Sequence, residues 1–551
     1  MQRRRVLKGL GLISGAALLP GCGNSDQTTG ATGGTAKVRF EHGVASGDPL
    51  SDRVVLWTRV TPETDAPVMV RYVVARDPEL QDVVVSDSVV TDLVRDYTVK
   101  IDPVGLAPGT HYWYRFEAGG VQSPVGRTKT LPVGPVERLR FAFTSCSNYS
   151  GGYFGVYRRM AERTDLDAVF HLGDYLYESG SSGVEGLDRG HSNGREMVTL
   201  ADYRDRHAQY RTDPDLQEMT RQHPLIAVWD DHESTNDSWK DGAQNHTEGE
   251  EGEWPLRKAA SILAYFEWLP IRVVDERDPQ RIWRQFVFGD LVDLMMLDTR
   301  LYGRDLQIGT PPLDPVAQND PARQLLGLPQ ENWLNGKLTG STARWKLLGQ
   351  QVMFSQLRLA SLPDISLLGT SLAEELLAIN GDQWDGYPAA RDSVFNAIEA
   401  GRVDNVVVLT GDIHSSWGNE LYRDPGELRT LLDNIVGDPL ELGLIKALGV
   451  EFVSPSVTSG GFPEGTTPLF QLAFRVADPQ IKYFDGERHG YVLLDITPER
   501  TQGEWWYVDS ILDQNAPEQF GTALFTLSGE NRLRSASEPS APRADAAPPA
   551  P

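Results

Sequence analysis

The amino-acid sequence predicts an α/β protein with an all-β layer at its front, and three observations predict it. Between Lys37 and Pro135, short β-branched runs with period-two alternation recur between turn residues. From Arg138 onward, short apolar runs alternate with helical ones, the pattern of a largely buried sheet. Four of those apolar runs end in residues with metal-ligand chemistry, and ligands of open α/β sheets collect outside the carboxyl ends of strands.

The elements follow in chain order. Arg3, Arg4, Arg5 and Lys8 precede an apolar run from Gly9 to Pro20, a charged start and a stretch too short to span a membrane. Paired arginines before Val6 and Leu7 resemble a twin-arginine export signal over residues 1–22. Leu19-Pro20-Gly21-Cys22 is similar to a lipoprotein cleavage box, so Cys22 is a lipidation candidate, with ordinary cleavage nearby as the alternative. Residues 23–36 read as a flexible tether. The export machinery is then a partner, and the destination is the periplasm or cell exterior, membrane-anchored if Cys22 is acylated.

Residues 37–135 read as a β-sandwich, with strands at 53–60, 68–75, 97–101 and 112–117. Leu106 to Arg115 resembles a turn and strand of a fibronectin type III domain. The α/β domain, 138–510, has expected strands at 140–144, 168–172, 225–229, 291–297, 347–354 and 405–410. Helices are expected at 155–163 and 255–268, and a terminal hairpin at 490–496 and 504–508. Residues 535–551, rich in Ala, Pro and Ser, read as a disordered tail.

With 551 residues the chain is long enough for two domains. A net charge of -25 repels nucleic acid backbones, so no nucleic-acid partner is expected. An anionic substrate would need local positive charge, which bound metal ions supply. The chain has 2 cysteines, and once Cys22 is cleaved off or lipidated Cys146 has no partner for a disulfide.

The chemistry sits in four blocks. Ser145-Cys146-Ser147-Asn148 follows the first strand of the α/β domain. Gly173-Asp174-Tyr175-Leu176-Tyr177 follows the second, placing a carboxylate and a phenol three residues apart, and a phenolate favours Fe(III). Asp230-Asp231-His232-Glu233, with Asn236 and Asp237 beyond, is costly to bury without a counter-charge. Gly411-Asp412-Ile413-His414 closes the set, with alternation putting Asp412 and His414 on one side of an extended chain. The acidic stretch Glu248 to Glu253 reads as a solvated loop rather than a calcium site.

The order of these blocks resembles the calcineurin-like metallophosphoesterases, and Asp174-x-x-Tyr177 the purple acid phosphatase version. The departures, Cys146 in the first block, Asp231 for an Asn and Asp412 for a His, resemble the alkaline phosphatase D (PhoD) family. Residues 143–147, 171–178, 229–233, 297–300, 345–355 and 411–417 carry that resemblance. It implies a fibronectin III-like domain followed by a calcineurin-like one, and a centre with Fe(III) and Ca(II). By position, Cys146, Asp174 and Tyr177 would hold iron, with Asp231, Asn236, Asp412 and His414 completing the shell.

The expected reaction is metal-dependent hydrolysis of phosphate mono- or diesters for phosphate scavenging. In-line attack by a metal-activated water or oxo/hydroxide would proceed without a phosphoenzyme. His232 is a candidate for leaving-group protonation, or alternatively a supporting hydrogen bond. Arg300 is a candidate phosphate grip, or alternatively an ion-pair partner of Asp298. Asp385, Tyr387 and Arg391 are candidates for the entrance. Two other functions stay open: phospholipase D-like cleavage of phosphodiesters, and a non-catalytic surface lipoprotein binding through its β domain.

Overall fold

Runs of apolar residues buried on both faces make the centre of the molecule. Leu139–Thr144, Ala168–His171 and Pro224–Ala227 are buried along their whole length and pair in parallel, as strands covered on both sides do. The computed structural model describes residues 37–308, 315–357, 381–434 and 444–551. The expected leader over 1–22, with Cys22, and the tether over 23–36 lie outside the described residues.

The three strands belong to a ten-stranded sheet. On one side they continue antiparallel into Gly490–Ile496, Arg500–Val508, Glu518–Leu527 and Arg534–Ala536. A seven-stranded sheet faces it, with parallel pairing among Val292–Met296, Trp345–Gly349, Val406–Thr410 and Gly449–Val453. The main core lies between the sheets and takes Phe141, Phe143 and Phe170 from one and Leu294, Val407 and Phe452 from the other. Phe141 reaches across to Phe288, ring centroids 4.9 Å apart. Burying each such side chain contributes roughly 1.5–3 kcal/mol.

The front β layer has two faces. Its five-stranded sheet, built on Val68–Ala75, Val83–Thr91 and His111–Ala118, packs Val70, Val74 and Phe116 against Val44, Leu56 and Val99. Those last three residues lie on strands that are the far end of the ten-stranded sheet. The seam is the parallel pairing of Leu225 with Gly47, locked by buried Arg284 donating to both Asp48 oxygens at 2.8 and 2.6 Å. The layer thus shares a sheet with the α/β part instead of standing apart from it.

Three expectations need correction. The strand expected to reach Phe354 stops at Gly349, because Gln351 turns inward and accepts from Thr299 N at 3.1 Å and Oγ1 at 2.6 Å. The α/β unit does not end near 510, and the tail over 535–551 is not disordered. Arg534–Ala536 is a sheet strand, and Ala550 is buried against Ala75, Leu80 and Trp113. Low hydrophobicity hid the segment, since its partners are side chains supplied from elsewhere.

Candidate metal centre

The parallel strands of both sheets release their loops toward one site. Loops following Thr144, His171, Ala227, Met296 and Thr410 carry Cys146, Asp174, Asp231, Arg300 and Asp412. Cys146, Asp174, Asp237, Asp412 and His414 all have left-handed backbone, with φ of 62°, 53°, 51°, 61° and 52°. Non-glycine residues held there cost of order 1–3 kcal/mol each and gather at functional sites. Gly173, φ 111°, lets two loops touch: a Cβ there would come within 2.8 Å of Asp230 N.

Three groups of potential ligands interlock. The donor atoms of Cys146, Asp174 and His414 lie within 4.8 Å of one another, as do those of Asp174, Asp231 and His232, and those of Asp230, Asp231 and Asp412. Asp174 joins the first two groups and Asp231 the last two. Tyr177 closes the first: its hydroxyl donates to Asp174 Oδ2 at 3.0 Å, lies 3.1 Å from His414 Nε2 and accepts from Ser459 Oγ at 2.6 Å.

Charge is unevenly balanced here. Burial, and then neighbouring acids, push the Asp174 carboxyl well above its usual range; burial does the same to Asp230 against the pull of Arg300. Burial also raises Glu233 to about 7, and burial with Asp382 and Asp231 raises Asp237 to about 7. The Cys146 thiol and Tyr177 phenol are raised by burial and then by Asp174. Asp174 Oδ1 and Asp230 Oδ2 are buried without a hydrogen-bond partner. A thiol, a phenol, imidazoles and unpaired carboxylates fit a cation centre, because cations reverse each of these penalties.

The sequence candidates fall into place unequally. Cys146, Asp174, Tyr177, Asp231, Asp412 and His414 converge. Asn236 follows on the loop after Asp231, where its amide NH2 donates to Gln244 at 2.6 Å. His232 lies against the Tyr177 ring, centroids 4.1 Å apart, with Nδ1 2.6 Å from Glu178 Oε2. Burial lowers the His232 pKa, but Glu178, Asp231 and Asp174 together hold it well above the usual imidazole range.

Arg300 takes neither expected role. Its guanidinium is fully buried and pairs with Asp230, with Asp382 at 2.8 Å and with Asp412 at 2.8 Å. A phosphate grip would need free donors. Asp298 instead accepts from the backbone of Arg300, Leu301 and Tyr302 at 2.8, 2.9 and 3.1 Å. Tyr387 is buried and donates to Asp305 O at 2.7 Å, while Asp385 pairs with Arg391. Glu251, in the acidic stretch, binds Arg257 at 3.1 Å.

Several residues that surround the centre carry no sequence signal of their own. Asp230 was visible only as part of its cluster. Asp382, which also pairs with Arg304, sits in no recognisable motif. Glu178 directly follows Tyr177, and its other oxygen accepts from Asn236 N at 2.8 Å. Ser459 comes from the loop after Gly449–Val453, which has no charged signature. Arg206, from the helix Leu200–Arg211 that the periodicity concealed, donates to Ser179 O at 3.1 Å.

Comparison with known proteins bears on the same residues. A family model described as PhoD-like phosphatase matches residues 141–505, and one described as PhoD-like phosphatase, N-terminal domain matches 26–132. Alkaline phosphatase D of Bacillus subtilis (strain 168) is 36% identical over 537 residues, covering 93% of this chain and 85% of that protein. A solved structure described as "Structure of PhoD" aligns with a TM-score of 0.79 and 35% identity, over 91% of this chain and 92% of that one.

Proposed function

From the premise that this chain belongs to the PhoD-like phosphatase family and is a phosphate ester hydrolase, we propose that its metal-dependent reaction takes place among Cys146, Asp174, Asp231 and Asp412. The observation that carries this is the sharing of Asp174 and Asp231 between interlocking ligand groups. Cys146, Asp174 and Tyr177 would hold Fe(III). Asp231, Asn236, Asp412 and His414 would complete the shell, with Ca(II) taking oxygen ligands among them. Bound there, these cations supply positive charge against phosphoryl oxygens and acidify water.

The chain's own residues do the rest. Glu178 holds His232 by Nδ1, leaving Nε2 as the atom that protonates the departing alkoxide. Arg300 offsets part of the carboxylate charge and fixes Asp230, Asp382 and Asp412 in relation to one another.

The substrate is a phosphate mono- or diester taken for phosphate scavenging, and the site of action lies outside the cytoplasm. The twin-arginine-like leader and Cys22 support export and anchoring. The order of the four blocks supports a calcineurin-like catalytic domain, and Leu106 to Arg115 a fibronectin III-like layer. Assays of p-nitrophenyl phosphate, bis-p-nitrophenyl phosphate and phosphatidylcholine run side by side test the substrate. Activity on the lipid alone would replace this reading with the phospholipase D-like one.

A further inference from the structure

The C-terminal segment makes a kind of contact that a passive tail does not. Its backbone is gripped by side chains of both parts of the molecule. Ala541 O accepts from Arg138 and, at 3.0 Å, from Arg140. Ala547 O accepts from Arg127 at 3.0 Å, and Pro551 O from Arg221 at 2.7 Å. The Gln222 amide answers Ala550 twice, accepting from its N–H at 2.9 Å and donating to its carbonyl at 3.1 Å.

Two side chains of the segment also find built receptors. Arg543 pairs with Asp167 at 3.0 Å, while its N–H donates to Asp165 at 2.8 Å. Ala550 enters the apolar pocket of Ala75, Leu80 and Trp113 on the five-stranded sheet. A short segment poor in large apolar side chains cannot order itself, so these receptors hold it.

We propose that residues 538–551 form a clasp, an extended peptide ligand carried by the chain itself, seated in a groove that joins the front β layer to the ten-stranded sheet. The groove recognises main-chain carbonyls through arginine and glutamine donors and one small apolar side chain through the Trp113 pocket. Arg138 and Arg140 lie at the start of the strand Leu139–Thr144, whose other end leads to Cys146. Asp165 and Asp167 precede Ala168–His171, whose other end leads to Asp174. The clasp therefore pins the far ends of the two strands that deliver the centre's first two ligands.

The test uses three proteins: the full chain, a variant ending at residue 537, and full-length Ala550→Asp, which puts a carboxylate into the apolar pocket. For the shortened variant the expectation is a lower Tm and faster hydrogen exchange over 139–146 and 168–174. A synthetic peptide of residues 538–551, added in trans, should restore both saturably, while a scrambled peptide should not. Ala550→Asp should show fast exchange over 544–551 together with the same increase over 139–146. Unchanged Tm and exchange in the shortened variant would overturn the proposal, as would failure of the peptide to restore them. Should the shortened chain not fold, Ala550→Asp decides: a freed segment with 139–146 still protected would refute the coupling.

Discussion

Arg300 and Asp412, on loops that leave neighbouring regions of the seven-stranded sheet, meet with Nη2 and Oδ1 2.8 Å apart. The same buried guanidinium also holds Asp230 and Asp382, so one cation organises carboxylates from several loops.

Removing that cation leaves buried charge uncompensated. Arg300→Ala should cost about 3–5 kcal/mol of folding stability, the usual loss when one partner of a buried pair is deleted. Denaturant unfolding measures it. Arg300→Lys, which keeps the charge but not the fork, should lower Tm and kcat together with little change in KM. A rise in KM alone at unchanged Tm would mean that Arg300 grips substrate after all.

Cys146→Ala and Asp174→Ala should each lose bound metal, iron on the proposed assignment, and nearly all turnover while remaining folded. Elemental analysis and circular dichroism of the purified variants check both halves. Full activity in either variant would remove that residue from the centre.

The metal-free protein should lose stability as pH rises through neutrality. Glu233 and Asp237, raised to about 7 by burial, hold more protons folded than unfolded between their ordinary carboxylate values and about 7. Their contribution is complete below the unfolded pKa and is lost as pH climbs through the folded one. Glu178 runs the other way: burial raises it, but His232 overrides burial and holds it at about 2. Its contribution is present above the ordinary glutamate value and is lost as pH falls toward 2. His42, His111, His171 and His207, held down to about 3 by burial, add stability as pH rises toward the ordinary imidazole value. Thermal melts of chelated protein are therefore compared from about pH 6.5 to 8, where they should fall and added cation should flatten the decline. A chelated protein more stable at the upper end of that window than at its lower end would contradict this balance.

Glu178→Gln should act through His232. With its orienting partner weakened, kcat on an alkyl phosphate should drop roughly 10- to 100-fold, the scale seen for residues that hold a metal-site imidazole. The drop on p-nitrophenyl phosphate, whose leaving group needs little protonation, should be much smaller. Equal losses on both substrates would make Glu178 purely structural.

Much of the site is legible in the amino-acid sequence, for a local reason. Each block sits directly after an apolar run, and a run such as Val406–Thr410 is recognisable by itself. Asp174 and Tyr177 are three residues apart, so the chain brings them together without help. The partner of the Asn236 NH2, Gln244 eight positions later, is not legible in the sequence. Asp382 and Ser459 leave no mark, since a lone carboxylate or hydroxyl on a loop has no pattern until its neighbours are known.

The sequence by itself determined the alternation of strands and helices in the catalytic part, the four blocks of candidate ligands and the family to which they belong, because these depend on short-range pattern and residue chemistry. Only the tertiary structure decided that Arg300 is spent on carboxylates, that Glu178 holds His232, and that residues 538–551 lie in a groove of arginines. Whether a charge is free, paired or buried is a property of what surrounds it, and here the surroundings come from loops far apart along the chain.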